Sequence, residues 1–251
     1  MCKSGLLLLI SCFMFSPMRA QSESGLLLDA EVEKKLSKQL SVGLEGDFRT
    51  RNDFKTVDRW SVGAGVSYKF TKWLKADAGY TLLNSNYREK ISVGTSRMKW
   101  RPSYWGQRHR LHASLAVNQK VWGDLRVSLR ERWQYTYRPE KGVTRWLLYP
   151  SSTTSSLDED YVRSGRGKNQ LRSRLQLEWD KKRALLTPYA SMELYNSWAV
   201  EKIRYTVGTD IRLSKQQSLA VFYRFQDMKN VDDDDYDPNM HYLGLGYKLK
   251  F

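Results

Sequence analysis

Apolar and polar residues alternate along most of the chain. Ser24 to Lys34 puts Leu26, Leu28, Ala30 and Val32 on one side, and Leu27, Asp29, Glu31 and Glu33 on the other. Gln39 to Arg49 repeats this with Leu40, Val42, Leu44, Gly46 and Phe48 against Ser41, Gly43, Glu45, Asp47 and Arg49. Trp60 to Phe70 and Leu74 to Leu82 follow the same rule. So do His109–Asn118, Asp124–Tyr137, Asn169–Asp180, Leu186–Asn196, Lys202–Leu213, Ser218–Gln226 and Met240–Phe251, which brings the count to eleven segments. A side-chain period of two marks a strand with one oily and one wet face. In Asp124–Tyr137, Glu131 breaks the rule by falling on the apolar side.

The connections alternate in length. Lys35–Lys38, Thr71–Lys72, Asn118–Lys120, Asp180–Arg183 and Ser214–Gln217 read as short polar turns, whereas 84–108, 138–168 and 227–239 are long. Strands of about ten alternating residues joined by short turns at one end and long loops at the other are the signature of a transmembrane β-barrel. The expected fold is all-β: an antiparallel meander barrel of ten to twelve strands filling residues 21–251, behind a leader at 1–20. Single-chain bacterial barrels have even strand counts. Eleven segments therefore imply either a first segment outside the wall, giving ten, or one strand overlooked, giving twelve, the preferred count.

The last segment carries Leu243, Leu245, Tyr247, Leu249 and Phe251 on one face, with Gly244, Gly246, Lys248 and Lys250 between them. A final strand ending on an aromatic resembles the C-terminal assembly signal of outer-membrane barrels, with Leu245, Tyr247, Leu249 and Phe251 as its residues. That resemblance implies insertion by the barrel-assembly machinery. Aromatics gather toward strand ends. Phe70, Trp179, Tyr247 and Phe251 stand at the short-turn level, and Phe48, Trp60, Tyr80, Trp133, Tyr135, Tyr205, Tyr223 and Phe225 at the other. Two girdles are expected where a barrel meets two interfaces.

The start of the chain fits an export leader. Met1 to Lys3 is basic, Gly5 to Phe15 apolar, and Ser16, Pro17 and Ala20 suit cleavage after Ala20. Leu9-Ile10-Ser11-Cys12 also fits a lipoprotein box, although Phe13 to Phe15 continue the apolar run beyond Cys12. Cys2 and Cys12, the only cysteines, leave with the leader. This excludes disulfides, thiolate nucleophiles and cysteine metal sites from the mature chain. Mean hydropathy is −0.62, too polar for a bundle of spanning helices. The net charge of +15 becomes +13 once Lys3 and Arg19 are removed. Export sets nucleic acid aside as a partner. Outer-membrane lipids, lipopolysaccharide and anionic small solutes remain.

The polar face is heavily charged. Arg126, Arg130 and Arg132 share one strand, and Arg172 and Arg174 the next, forming a basic patch expected to face the lumen. Such a patch reads either as an anion path or as interior filling by Arg–carboxylate pairs. His112 and Ser114 are two apart on one face. A His-x-Ser pair is similar to that of outer-membrane lipid A deacylases, and a lipid-modifying hydrolase is the alternative function. Those sites face lipid, while this register turns both residues inward, so no nucleophile is assigned. The acidic run Asp232 to Asp235 lacks calcium-loop spacing and reads as a solvated loop. No cofactor or metal is expected.

Scattered short motifs recur in a fixed order: Leu44-Glu45 with Arg49, Gly65 to Lys69 with Trp73-Leu74, Arg108 to Leu111, Leu129 to Arg132, and Leu171 to Leu175. Thr187-Pro188-Tyr189 with Glu193, Arg204-Tyr205 with Gly208, and Leu245 to Phe251 complete them. The mature chain thereby resembles an outer-membrane β-barrel family catalogued as a domain of unknown function. The resemblance implies a barrel in the outer membrane and no particular activity. The functional expectation is a narrow pore or a binding or scaffold barrel, with a soluble secreted β-protein as a further alternative.

Overall fold

The computed structural model describes residues 22–94, 97–148, 155–158, 161–181, 184–229 and 237–251. The leader, Cys12 and the Asp232–Asp235 run lie outside them. In chain order the strands begin with β1 (Ser22–Lys35), β2 (Leu40–Arg51), β3 (Thr56–Lys69), β4 (Leu74–Tyr87), β5 (Lys90–Val93) and β6 (Met98–Arg101). Next come β7 (Tyr104–Trp122), β8 (Leu125–Arg138), β9 (Lys141–Gly142), β10 (Arg145–Leu148), β11 (Ser155–Asp158) and β12 (Val162–Arg163). The last are β13 (Arg166–Trp179), β14 (Leu186–Asn196), β15 (Val200–Arg212), β16 (Gln217–Met228) and β17 (Asn239–Lys250).

Eleven of these close into one barrel in the order β1-β17-β16-β15-β14-β13-β8-β7-β4-β3-β2. Neighbours are antiparallel except at the seam, where β1 and β17 run parallel from Ser22↔Asn239 to Glu33↔Lys250. The eleven alternating segments are thus all wall strands. The even-count rule that points to ten or twelve does not hold here. An odd number of up-and-down strands leaves the first and last pointing the same way, and a parallel ladder closes them. Phe251 adds two bonds at this seam: its N–H donates to Glu33 O at 2.9 Å, and its carbonyl accepts from Lys35 at 3.1 Å.

Local chemistry sets the short turns. The hydroxyl of Ser37 accepts from the N–H groups of Gln39 and Leu40. Thr71 does the same for Trp73 and Leu74, and Ser214 for Gln216 and Gln217. Each hydroxyl mimics a backbone turn. The turn expected at Asn118–Lys120 lies further on: β7 continues to Trp122, and the chain reverses at Gly123, whose φ of 53° suits glycine. At the other end, β5, β6, β10 and β11 form a four-stranded sheet within the long loops, and β9 and β12 a two-stranded one.

The faces follow the alternation. Leu44, Val62, Leu111, Leu175, Val207 and Leu243 point outward and are exposed. The buried side chains include Ser61, Thr81, Ser128, Gln134, Gln170, Glu193, Arg204 and Gln226. This inverts the usual arrangement of apolar inside and polar outside. Apolar packing is confined to a plug in the half of the bore toward the long loops. There Leu27, Phe222, Met240 and Tyr242, on the adjacent strands β1, β16 and β17, cluster with Tyr189 and Ala220 against them, and Leu83 and Tyr195 are buried on the inner face elsewhere at that end. The Phe222 ring packs against Gly244, where a Cβ would come within 2.1 Å of it, so a larger residue would need the ring to move.

Candidate functional site

The ladder between β8 and β13 places Arg132 opposite Arg172 and Arg130 opposite Arg174. Period-two alternation turns all four inward, making a two-by-two block of guanidinium groups. Like charges directly opposite each other repel. The adjacent strand β14 supplies the counter-charge, because Glu193 pairs in register with Arg174. Arg130 and Arg172 each donate to Glu193 Oε1 at 2.9 Å, and Tyr195 OH donates to Oε2 at 2.8 Å. Arg204 Nη1 stands 3.8 Å from the same carboxylate. Arg132 takes a different partner, Asp77 Oδ2 at 3.3 Å. Arg126, the fifth member of the expected patch, sits apart toward the short turns, paired with Asp180 and with Glu178 at 3.7 Å.

Pairing is incomplete. Arg174 makes no hydrogen bond or ion pair within the described residues, and Arg110 is bonded only to Thr136 Oγ1 at 3.2 Å. Arg224 donates to Thr206 Oγ1 at 3.2 Å and stacks its guanidinium 4.9 Å from the Phe222 ring, with no carboxylate. The buried Nε atoms of Arg130, Arg132, Arg172 and Arg174 have no partner. In a second set Asp47 accepts from Arg49 Nε at 2.9 Å and from Arg59 Nη2 at 3.0 Å, so each of its arginines has a carboxylate, although Arg59 Nε is unbonded.

Arg110, Arg132, Arg172, Arg174 and Arg224, with the Asp47 set, border a cavity of about 750 Å³. Phe222, Arg49, Arg110 and Arg172 bound it toward the plug, and Ser214 to Ser218, Lys248 and Lys250 line it at the short-turn mouth. Twelve arginines and lysines line it against seven carboxylates, so it is a basic vestibule. A smaller cavity of about 290 Å³ lies at the long-loop rim, beside Tyr87, Tyr104, Trp105 and Arg163.

His112 and Ser114 both face inward and are buried. Asp77 on β4 joins them: Ser114 Oγ donates to Asp77 Oδ1, and His112 Nε2 lies 3.5 Å from Oδ2. The serine proton is therefore held by a carboxylate, where a hydrolytic relay would give it to histidine. His109 and His241 face outward, each beside a tyrosine hydroxyl, Tyr80 at 2.6 Å and Tyr223 at 2.5 Å. Leu245, Tyr247 and Phe251 are exposed on the outer face of the barrel, and Leu249 shares that face. Glu131 is outward too, as its register implies, and accepts from Ser173 Oγ of β13 at 2.6 Å.

The alternation puts Glu193 and Asp77 on the polar, inward face of their strands but gives them no role by itself. Their register against neighbouring strands, which brings each to the arginines, is the missing signal. Arg49 stands on the polar face of its segment, and its pairing with Asp47 two positions along the same strand and its register opposite Arg59 of the next give it its role.

No curated protein matches the chain. Residues 24–237, nearly the whole barrel, match the family model described as Protein of unknown function (DUF2490), and the chain belongs to that family.

Proposed function

We propose that this barrel spans the outer membrane, and that it binds an anionic solute from the periplasmic side without conducting it. The observation that carries the reading is axial asymmetry. A basic vestibule opens at the short-turn end, and the inward cluster of Leu27, Phe222, Met240 and Tyr242, on its long-loop side, is read as a plug of the bore.

The membrane part of the reading is supported by the exposed apolar belt on every wall strand and by Trp60, Tyr80 and Trp133 at one level with Phe70, Trp179 and Tyr247 at the other. A soluble secreted protein exposing so much contiguous apolar surface would aggregate. The short turns then face the periplasm, as in barrels of this kind. On this reading a leader at 1–20 exports the chain, the barrel-assembly machinery inserts it through the outward row ending at Phe251, and lipopolysaccharide surrounds the long-loop end.

The binding branch is favoured over the pore branch by the plug. The hydrolase alternative is disfavoured by the inward aim of His112 and Ser114 and by the bond from Ser114 to Asp77.

Single-cysteine labelling tests the proposal, since the mature chain has no cysteine of its own. Thr187→Cys lines the vestibule. A membrane-impermeant maleimide is expected to modify it after periplasmic access is given and to leave it unmodified in intact cells. Equal labelling in intact cells would contradict the closed outer half.

A further inference from the structure

We infer that the vestibule holds a phosphate-type oxyanion between Arg110, Arg132, Arg172 and Arg174, with the organic remainder of the ligand running toward Lys248 and Lys250. The inference rests on the binding reading above and names the chemistry of its ligand.

Four observations converge. Arg132 and Arg172 stand directly opposite each other, as do Arg130 and Arg174. Two carboxylates serve this block of four, Glu193 engaging Arg130 and Arg172 and Asp77 engaging Arg132. Arg174 is left without a partner among the described residues, and Arg110 has only a neutral hydroxyl. The Nε groups of Arg130, Arg132, Arg172 and Arg174 are buried and unbonded. Buried polar groups are normally bonded, and a buried unpaired charge is costly. An interior built only for stability would match these cations with carboxylates, as Asp47 matches Arg49 and Arg59. Guanidinium groups from different strands that face one cavity, Arg174 and Arg110 with no carboxylate bonded and Arg132 and Arg172 with Nε unbonded, are suited instead to an anion with several oxygens.

The oxygens of a phosphate accept from several forks at once, whereas a single carboxylate offers two. The cavity, about 750 Å³, is larger than a bare phosphate and within the range of small-molecule sites. Lys215 and Lys250 at the mouth extend the positive field outward and draw anions in, beside Lys248, which Glu31 and Glu33 hold. The same headgroup chemistry could come from a soluble phosphate ester or from a phospholipid.

The test uses the full barrel, refolded in a neutral detergent, with thermal unfolding and calorimetric titration as readouts. The probes are inorganic phosphate, glycerol 3-phosphate, and micelles doped with phosphatidic acid. Wild type is expected to bind phosphate and glycerol 3-phosphate and to melt at a higher temperature with them. Arg174→Met and Arg110→Met each weaken binding by about tenfold or more, the size of a lost charge-assisted bond. Arg174→Lys keeps the charge and loses the fork, and falls between. Lys99→Met, on β6 in the long loops, binds as wild type. Without ligand, Arg174→Met melts no lower than wild type, because it removes an unpartnered charge, whereas a structural role would lower it.

Tighter binding of phosphatidic acid identifies a lipid headgroup, and tighter binding of glycerol 3-phosphate a soluble ester. A folded wild type that binds none of the probes overturns the inference, as does Arg174→Met binding like wild type. Both outcomes leave the closed-barrel reading intact, since that reading fails separately if Thr187→Cys is labelled in intact cells.

Discussion

Arg132 and Arg172 face each other across the β8–β13 ladder, two cations in direct register on the inner face of the barrel. Their side chains diverge to different anions: Arg172 to Glu193 at 2.9 Å and Arg132 to Asp77 at 3.3 Å. Four strands, β4, β8, β13 and β14, are thereby tied along the inner wall by charge.

Glu193 is the centre of that tie. It is 6 % exposed and meets Arg130, Arg172, Arg204 and Tyr195. Glu193→Gln is expected to destabilise the barrel by about 3 to 5 kcal/mol, because removing one member of a buried pair leaves uncompensated charge. Urea unfolding in detergent measures it. Adding Arg172→Gln should recover part of the loss, giving a non-zero coupling in a double-mutant cycle. An unchanged midpoint for Glu193→Gln would show that the charges balance elsewhere.

Gly244 and Phe222 form the plug by close approach. Gly244→Val drives a branched side chain into the Phe222 ring, where even a Cβ lies at 2.1 Å. The single variant should fold poorly or lose several degrees of thermal stability, and Phe222→Ala in the same chain should restore folding by emptying the space. Heat-modifiable migration in gels reads both. If Gly244→Val is as stable as wild type, the packing described for the plug is wrong.

Glu131 is the one carboxylate in its outward row, flanked in register by Leu115 of β7 and bonded only to Ser173. In a bilayer, Glu131→Leu is expected to stabilise the barrel by about 1 to 2 kcal/mol, less than the figure for a basic residue at mid-depth. Unfolding from lipid vesicles measures the change. A loss of stability would mean that the carboxylate is satisfied by something the isolated chain does not carry.

Phe251 is tied at both backbone groups to β1 and has its side chain outward. Deleting it should lower the amount of barrel reaching the outer membrane, read by fractionation and heat-modifiability. Wild-type levels would remove the role assigned to the terminal strand.

Ser114→Ala and His112→Ala should leave fatty-acid release from lipid A or phospholipid unchanged from background. Release by wild type that either substitution abolishes would restore the hydrolase alternative.

The alternation from Leu26 to Phe251 made the eleven strands and their faces legible, because a side chain's face depends only on its position within its own strand. The same reading set Glu131 apart and put His112, Ser114 and the arginines inside. Closure was not legible. Whether Leu28 pairs with Leu245 in a parallel seam depends on which strands meet, a property of the whole ring that a counting rule replaced badly. The roles of Glu193 and Asp77 were hidden for a related reason: each acts on arginines more than twenty residues away, through registers between strands. The plug was hidden in plain alternation. Phe222 and Tyr242 occupy inward positions usually filled by polar groups, and the glycine that admits Phe222 lies on another strand.

Planar-bilayer recording of the reconstituted wild-type barrel tests the central claim most directly. The account predicts no steady conductance, with channels appearing only when Phe222→Ala and Tyr242→Ala together empty the plug. A stable ohmic conductance in wild type, lost on charge reversal of Arg130 and Arg172, would contradict it and make the vestibule the inner half of a pore.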